Sequence, residues 1–229
     1  MRLMLYYNFF HEVMDMYKYI LFDFDGTIFD TVEGISKSAR YAINKFGLDD
    51  SLEFLRCFAG PPLVDKFMEV YGFDKAQAEQ ATAYFKERYQ PIGLYECRIF
   101  PGIKEMLQSL KTKGFKLGVA TSKPQHLAEK LLQGEDMIEI FDVICGSGLN
   151  GNNDSKESVL RRAMEALGAD LDNTVLVGDT KYDVLGAKAC GVDCIGVRFG
   201  YAAPGELEEA GATYIVEDVE ELEKLICAE

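Results

Sequence analysis

Residues 17–31 read YKYILFDFDGTIFDT, and this stretch decides the fold that we predict for the rest of the chain. An apolar run from Tyr19 to Phe22 leads directly into the sequence DFDG. A short apolar run that ends at a glycine is typical of a buried strand in a parallel sheet. Residues two apart in an extended chain project from the same side, so Asp23 and Asp25 are expected to face the same way.

Two carboxylates side by side at the end of a buried strand repel each other. The repulsion is roughly 4 kcal/mol at about 4 Å and an effective dielectric constant of about 20. A hard divalent cation would offset it, because such ions prefer carboxylate oxygen ligands. An aspartate-rich turn after a strand is the alternative interpretation of these two residues taken alone. The rest of the chain favours the metal site.

Composition indicates a folded protein that acts on a small substrate. The 229 residues are 48% hydrophobic and 12% aromatic, which is enough for a proper core and excludes global disorder. The net charge of −14 argues against a nucleic-acid surface, which would need basic patches. The six cysteines contain no C-x-x-C pair, which argues against zinc and is typical of reduced thiols in a cytoplasmic protein.

The first fifteen residues, MRLMLYYNFFHEVMD, are predicted to be an N-terminal extension. Their apolar part is far shorter than the about 20 residues that a membrane span needs. No small-residue cleavage site follows, as it would after a signal peptide. We therefore expect no membrane association, with Met16 as the functional start.

The chain is predicted to consist of a core and an inserted helical domain. Residues 31–97 show apolar positions at helical spacing and no convincing strand, whereas from Gly102 onward strands alternate with helices. This alternation predicts an α/β fold, a parallel sheet with helices on both faces. The predicted domains are the extension (1–15), the core (16–30 and 98–229) and the insertion (31–97).

Polar side chains recur where the predicted strands of the core end. In an open α/β sheet, ligands bind outside the carboxyl ends of the strands, so these segments should converge on one crevice. Acidic oxygens there suit Mg²⁺, while a hydroxyl and an ammonium would complete a cradle for a phosphoryl group. The candidate residues are Asp23, Asp25, Thr121, Ser122, Lys156, Asp179 and Asp183.

Four segments of the chain, DFDGTIFDT, ATSK, SK and GDTKYD, resemble in order the four motifs of the haloacid dehalogenase superfamily. The resemblance covers nearly all of residues 16–229, and the first and fourth motifs are specific together. It implies a Rossmann-like core, and the insertion resembles the helical C1 cap of the phosphoglycolate phosphatase-like branch. GPPL at residues 60–63 and TSKP at 121–124 resemble a 5′-nucleotidase-like subgroup.

This resemblance implies a mechanism for the acids of the first and fourth motifs. Asp23 would be the nucleophile that forms an aspartyl-phosphate, and Asp25 would protonate the leaving oxygen and then activate water. Mg²⁺ would be held by a carboxylate oxygen of Asp23, the backbone carbonyl of Asp25, Asp179 and waters. Asp183 would act through water or position Lys156, with direct metal ligation as the alternative.

The phosphoryl group would be bound by neighbouring polar groups, again as the resemblance implies. Thr121, Ser122 and the backbone N–H groups of Gly26 and Thr27 would take its oxygens, and Lys156 would neutralise its charge. The substrate would be a small phosphorylated metabolite, either a phosphoglycolate-like acid or a nucleoside monophosphate. The enzyme would be a cytoplasmic Mg²⁺-dependent phosphatase, monomeric or homodimeric.

Other activities of the superfamily place different demands on these residues. The dehalogenase branch lacks the second acid, and a phosphonatase would need a Schiff-base lysine in a recognisable motif of the insertion. A phosphomutase of the β-phosphoglucomutase type uses the same core motifs and stays open, as does a non-catalytic phosphate-binding module, which would not need Asp25. Substrate choice should lie in the insertion, where Lys37, Arg40, Arg56 and Lys66 are either substrate-binding cations or part of solvated helix faces.

Overall fold

The computed structural model describes residues 17–148 and 154–227, so the predicted extension at residues 1–15 lies outside the described residues. The chain divides into two compact units. The core unit comprises the residues up to Ile28 and from Phe100 onward, and the inserted unit is Phe29–Ile99. None of the helices in the described part of the chain is long and apolar enough to cross a membrane.

The strands and helices follow one another in the order that the sequence pattern predicts, with a few short additions. The strands within the described residues are β1 (Tyr19–Phe22), β2 (Phe29–Asp30), β3 (Arg98–Ile99), β4 (Lys116–Pro124), β5 (Val143–Ser147), β6 (Thr174–Gly178), β7 (Asp193–Val197) and β8 (Tyr214–Val216). The α-helices there are α1 (Val32–Asn44), α2 (Leu52–Leu55), α3 (Leu63–Tyr71), α4 (Lys75–Tyr89), α5 (Ile103–Thr112), α6 (Gln125–Gly134), α7 (Lys156–Leu167), α8 (Lys181–Cys190), α9 (Glu206–Ala210) and α10 (Val219–Cys227). Short 3₁₀ helices lie at Arg56–Phe58, Gly93–Tyr95 and Ile138–Ile140.

The core unit is built on a six-stranded parallel sheet with the order β5-β4-β1-β6-β7-β8. Strand β1 lies at its centre, with Phe22 opposite Val119 of β4 and Val177 of β6. The chain order reverses between β1 and β6, which is the switch point where doubly wound sheets bind their ligands. The residues that follow β1 and β6 therefore flank this crevice.

Both faces of the central strand are covered, as the predicted fold class requires. Leu21 packs in a buried cluster with Val159 and Leu160 of α7. Ile20 and Phe22 project to the opposite face, and their side chains are also fully buried. The fold class, a Rossmann-like α/β sheet with an inserted helical unit, is confirmed.

Helix ends were predicted well where the sequence supplies capping residues. Ser155 accepts a hydrogen bond from the N–H of Ser158 at the start of α7, and Gly168 ends the helix in the left-handed conformation with φ 62°. Asp74 and Gln77 form a capping box at the start of α4. The helix predicted over residues 51–58 is instead divided between α2 and a 3₁₀ turn, immediately before Gly60-Pro61-Pro62.

The inserted unit carries one feature that the sequence pattern did not predict. Strands β2 and β3, at its two chain ends, form an antiparallel pair in which Asp30 lies opposite Arg98. The guanidinium of Arg98 is 3.0 Å from the carboxylate of Asp30. Each strand has two residues, too few to show the alternation on which a strand prediction depends.

Candidate active site

The residues predicted for the site all belong to the core unit and come from different elements of it. Asp23 follows β1, Thr121 lies within β4, and Lys156 is the first residue of α7. Asp179 follows β6, and Asp183 lies in the first turn of α8. The parallel sheet brings the ends of β1, β4 and β6 together, so these separate segments meet at one edge.

Three of the acids form a cluster that could hold a metal ion. Asp23, Asp179 and Asp183 each present a carboxylate oxygen, and these oxygens lie within 4.8 Å of one another. All three residues are buried. Oxygen-rich, acidic sites of this kind suit hard divalent cations.

Two of these acids are held by the backbone of neighbouring turns. Asp183 accepts hydrogen bonds from the N–H of Thr180 at 3.0 Å and from its hydroxyl at 2.9 Å, which fixes the first turn of α8. Asp179 accepts one from the N–H of Tyr201 at 2.8 Å and a longer one from the hydroxyl of Thr27 at 3.4 Å. The role of Tyr201 was missed by sequence reasoning, because a backbone donor leaves no side-chain signal.

Lys156 joins two of the acids to strand β4. Its ammonium nitrogen lies 2.6 Å from Oδ1 of Asp23 and 2.6 Å from Oδ1 of Asp183. It also donates a hydrogen bond to the carbonyl of Ala120 at 3.1 Å. One buried cation thus serves two carboxylates.

The cluster carries more negative charge than Lys156 balances. Burial raises the pKa of Asp23 to about 6, with the charge of Asp183 acting in the same direction and Lys156 against it. Burial, together with the charges of Asp183 and Asp23, raises the pKa of Asp179 well above its usual range. Burial alone would lower the pKa of Lys156, but the carboxylates of Asp183 and Asp23 outweigh it and raise that pKa. A divalent cation would supply the missing positive charge, so the donor set fits one.

Glycines let the backbone approach these acids closely. A Cβ atom at Gly26, where φ is +87°, would lie 2.1 Å from Oδ2 of Asp179, and one at Gly200 would lie 2.2 Å from its Cβ atom. A Cβ atom at Gly178 would lie 2.4 Å from that of Asp183. Any larger residue at these positions would displace an acid of the cluster.

Asp25 is paired with a lysine that sequence reasoning missed. The ammonium of Lys123 lies 2.8 Å from Oδ1 of Asp25, and the lysine side chain is only 3% exposed. Thr121 and Lys123 are buried while Ser122 between them is exposed, as expected of an extended strand. This two-residue alternation was the available signal, since it places Lys123 rather than Ser122 on the same side as Thr121.

The polar groups predicted to bind a phosphoryl group are partly engaged with one another. The hydroxyl of Thr121 accepts a hydrogen bond from the N–H of Lys123 at 3.1 Å. The carbonyl of Ser122 accepts one from the hydroxyl of Ser147 at 2.6 Å. In the turn after β1, the N–H of Thr27 donates to the carbonyl of Phe24 at 3.4 Å, with Gly26 between them in the left-handed conformation.

Comparison with known proteins shows the family. The profile of the haloacid dehalogenase-like hydrolases matches residues 20–197, and the chain belongs to this family. The resemblance predicted from the four motifs is therefore confirmed, and the protein is an enzyme of a hydrolase family. The matched region includes Asp23, Lys156 and Asp179.

Relatives that match over most of the chain include a 5′-nucleotidase, a predicted phosphatase and a protein named as a tyrosine kinase. A 5′-nucleotidase of Pseudomonas aeruginosa is 39% identical over 211 residues, which cover 92% of this chain and 96% of that protein. The crystal structure of a predicted phosphatase from Clostridium acetobutylicum is 43% identical, with a TM-score of 0.88 and coverage of 92% of this chain and 98% of that one. The tyrosine-protein kinase PtkA of Mycobacterium tuberculosis is 32% identical over 197 residues, 86% of this chain and 67% of that protein.

Proposed function

We propose that the protein is a Mg²⁺-dependent phosphatase that hydrolyses small phosphate monoesters through an aspartyl-phosphate on Asp23. One observation carries the proposal. At the end of the central strand, two carboxylates two residues apart are each paired with a different buried lysine, Asp23 with Lys156 and Asp25 with Lys123. This division gives the two acids separate environments, as separate chemical roles require.

The metal would be held by carboxylate oxygens of Asp23 and Asp179 and by the backbone carbonyl of Asp25. Asp183 would act through a water molecule or by holding Lys156, which it contacts. When bound, Mg²⁺ would neutralise charge on the phosphoryl group and orient it toward the nucleophile. The uncompensated negative charge of the buried acid cluster supports this assignment.

In the first step, a carboxylate oxygen of Asp23 attacks phosphorus. A bond between that oxygen and phosphorus forms while the bond to the leaving oxygen breaks, and Asp25 gives its proton to the leaving oxygen. In the second step, Asp25 takes a proton from a water molecule as this water attacks phosphorus, which releases inorganic phosphate and restores Asp23. Lys156 and Thr121 hold the phosphoryl oxygens, together with the Gly26–Thr27 turn. The Ser122 side chain is exposed, so Ser122 would take part through its backbone N–H group.

The inserted unit favours a nucleoside monophosphate over a phosphoglycolate-like acid. The four cations considered for a second anionic group of the substrate are each already close to a carboxylate of the same unit. The pairs are Lys37 with Glu33 and Glu96, Arg40 with Asp49, Arg56 with Glu53, and Lys66 with Glu69. The relative named 5′-nucleotidase supports the same substrate class.

The test is phosphate release in the presence of Mg²⁺ across nucleoside monophosphates, phosphoglycolate, sugar phosphates and pyrophosphate. We expect nucleoside monophosphates to be hydrolysed fastest, and chelation of the metal to abolish the activity. Asp25→Asn should remove turnover of these substrates while inorganic phosphate still binds. No release from any substrate by folded, Mg²⁺-loaded protein would overturn the proposal. Transfer to an acceptor other than water, as in a phosphomutase, would then be the next hypothesis.

The predictions of a cytoplasmic location and of a monomer or homodimer belong to the same proposal. A small phosphorylated metabolite needs no extended protein surface for recognition, and the acidic net charge of −14 does not suit a nucleic-acid partner. Sedimentation of the purified protein would give the oligomeric state.

A further inference from the structure

We infer that Lys123 is a positioning residue that holds the carboxyl group of Asp25 in the orientation from which it serves the leaving oxygen. This inference rests on the proposed function, in which Asp25 is the acid and base. It assigns a second lysine to the site beside Lys156, with a different task. The geometry around Lys123 carries the argument.

The ammonium of Lys123 is fixed within the core unit. It lies 2.8 Å from Oδ1 of Asp25, and the side chains of both residues are largely buried, 3% exposed for the lysine and 16% for the aspartate. It also lies 5.5 Å from the centre of the Phe24 ring, within the range of a cation–π interaction. A buried ion pair of this kind restricts both side chains to one arrangement.

The backbone of Lys123 is held as firmly as its side chain. Its N–H donates to the hydroxyl of Thr121 at 3.1 Å. Its carbonyl lies against Gly146 of β5, so closely that a Cβ atom at Gly146 would be 2.6 Å from it. The register between β4 and β5 shifts between Ala120 and Pro124, which places this irregular stretch beside the site. The lysine is thus built into the sheet and does not reach in from a surface loop.

The second lysine is needed because Lys156 is already shared. Lys156 lies 2.6 Å from both Asp23 and Asp183 and donates a hydrogen bond to the carbonyl of Ala120, while the ion pair of Asp25 is with Lys123. Without Lys123, the carboxyl group of Asp25 would lose a buried ion pair that restricts its direction. Proton transfer requires the donor within hydrogen-bond reach of the leaving oxygen, so misorientation lowers the rate of that transfer.

Substrates with different leaving groups distinguish a role in positioning Asp25 from a role in phosphoryl binding or in support of the fold. A nucleoside monophosphate expels an alkoxide, which needs the proton of Asp25, whereas p-nitrophenyl phosphate expels a stable phenolate that needs it far less. Only the first step differs between the two substrates, because both leave the same aspartyl-phosphate. We expect Lys123→Met to lower the single-turnover rate of leaving-group release at least about tenfold more for the nucleotide than for the aryl phosphate, with KM changing much less. Lys123→Arg should recover part of the loss, because it restores a cation near Asp25.

A second arm of the test uses the Asp25→Asn background. Because Asp25→Asn removes turnover, this arm follows the single-turnover release of p-nitrophenol, which hardly needs the proton of Asp25. If Lys123 acts through Asp25, adding Lys123→Met to Asp25→Asn should lower that release by less than about twofold further. Lys86→Met, at an exposed position of α4, is the matched control and should leave both activities at the level of the unchanged protein. Thermal unfolding of each variant establishes that it is folded, and Lys123→Gln replaces Lys123→Met in both arms if the latter does not fold.

Equal losses on the two substrates in this first step would overturn the inference, because they would show that Lys123 binds the phosphoryl group or only supports the fold. Independent, additive losses in the Asp25→Asn background would overturn it as well. Failure of the proposed function gives a different result, since the unchanged protein would then hydrolyse neither substrate. The two failures are therefore distinguishable.

Discussion

At the scale of single residues, the buried acids of the cluster outnumber the lysines that contact them. Lys156 contacts Asp23 and Asp183 at 2.6 Å each, and all three residues are buried. Removing one partner of a buried ion pair leaves an unpaired charge, which costs more than the pair itself contributes. Lys156 therefore stabilises the core unit as well as serving the proposed chemistry.

We predict that Lys156→Met lowers the free energy of unfolding of the metal-free protein by about 3–5 kcal/mol. The measurement is urea denaturation in the presence of a chelator at pH 8. Asp183→Asn in the same background should restore part of the loss, because it removes one of the two stranded carboxylates. A loss below about 1 kcal/mol in Lys156→Met, comparable to that of the exposed control Lys86→Met, would contradict this account.

Sequence analysis found the site residues whose side-chain type and position at the end of a strand can both be read from the sequence. Asp23 and Asp25 stand at a strand end, and Asp179 stands at another, so acids at adjacent positions in the sheet could be predicted. Lys123 could not be placed from the motif alone, because its partner is Asp25, 98 positions away in the chain. Its burial beside an exposed Ser122 appears only when strand alternation is applied to β4 as strictly as to β1.

At the scale of elements, the backbone of the loop after β7 packs against Asp179 of the acid cluster. The N–H of Tyr201 donates to Asp179 at 2.8 Å, and Gly200 lies so close that a Cβ atom there would be 2.5 Å from Oδ2 of Asp179 and 2.5 Å from the carbonyl of Gly26. Sequence patterns gave no reason to include this loop, because it contributes backbone alone. The glycine is needed for space, since the neighbours of its Cβ position include backbone that cannot rotate away.

We predict that Gly200→Ala lowers the free energy of unfolding by about 1–3 kcal/mol and weakens Mg²⁺ binding, because the added methyl group displaces Asp179. Gly134→Ala, at the end of α6, is the matched control, since nothing lies within 4 Å of its Cβ position. That control should leave Mg²⁺ binding unchanged. Urea denaturation and calorimetric titration with Mg²⁺ measure the two effects. Equal behaviour of the two variants would show that the loop does not constrain Asp179.

Element boundaries were predictable to the extent that local chemistry sets them. Ser155 and Gly168 mark the ends of α7, and Asp74 marks the start of α4, because capping is a property of a few neighbouring residues. The pairing of β2 with β3 depends on contact between residues 68 positions apart, Asp30 and Arg98. Two residues are too short a stretch for a local sequence pattern to predict this pairing.

At the scale of the whole molecule, the buried acids couple stability to pH and to metal. The pKa of Asp23 is raised from its usual value near 3.8 to about 6, and that of Asp179 is raised too. The folded protein therefore holds protons that the unfolded chain has already released. By linkage, the free energy of unfolding of the metal-free protein falls as pH rises from about 4 to about 6, by about 3 kcal/mol for Asp23 alone.

Mg²⁺ should reverse this loss, because it binds the same carboxylates only after they release their protons. We predict that saturating Mg²⁺ raises Tm clearly at pH 8 and much less at pH 5, where protons already neutralise the cluster. Thermal unfolding with and without Mg²⁺ at both values of pH measures this difference. Asp179→Asn should raise the Tm of the metal-free protein at pH 8, since it removes an uncompensated buried charge, and should reduce the increase that Mg²⁺ produces. The prediction would be wrong if Mg²⁺ raised Tm equally at pH 5 and pH 8 and did so unchanged in Asp179→Asn. That result would show that the ion binds elsewhere and not to the acids at the ends of β1 and β6.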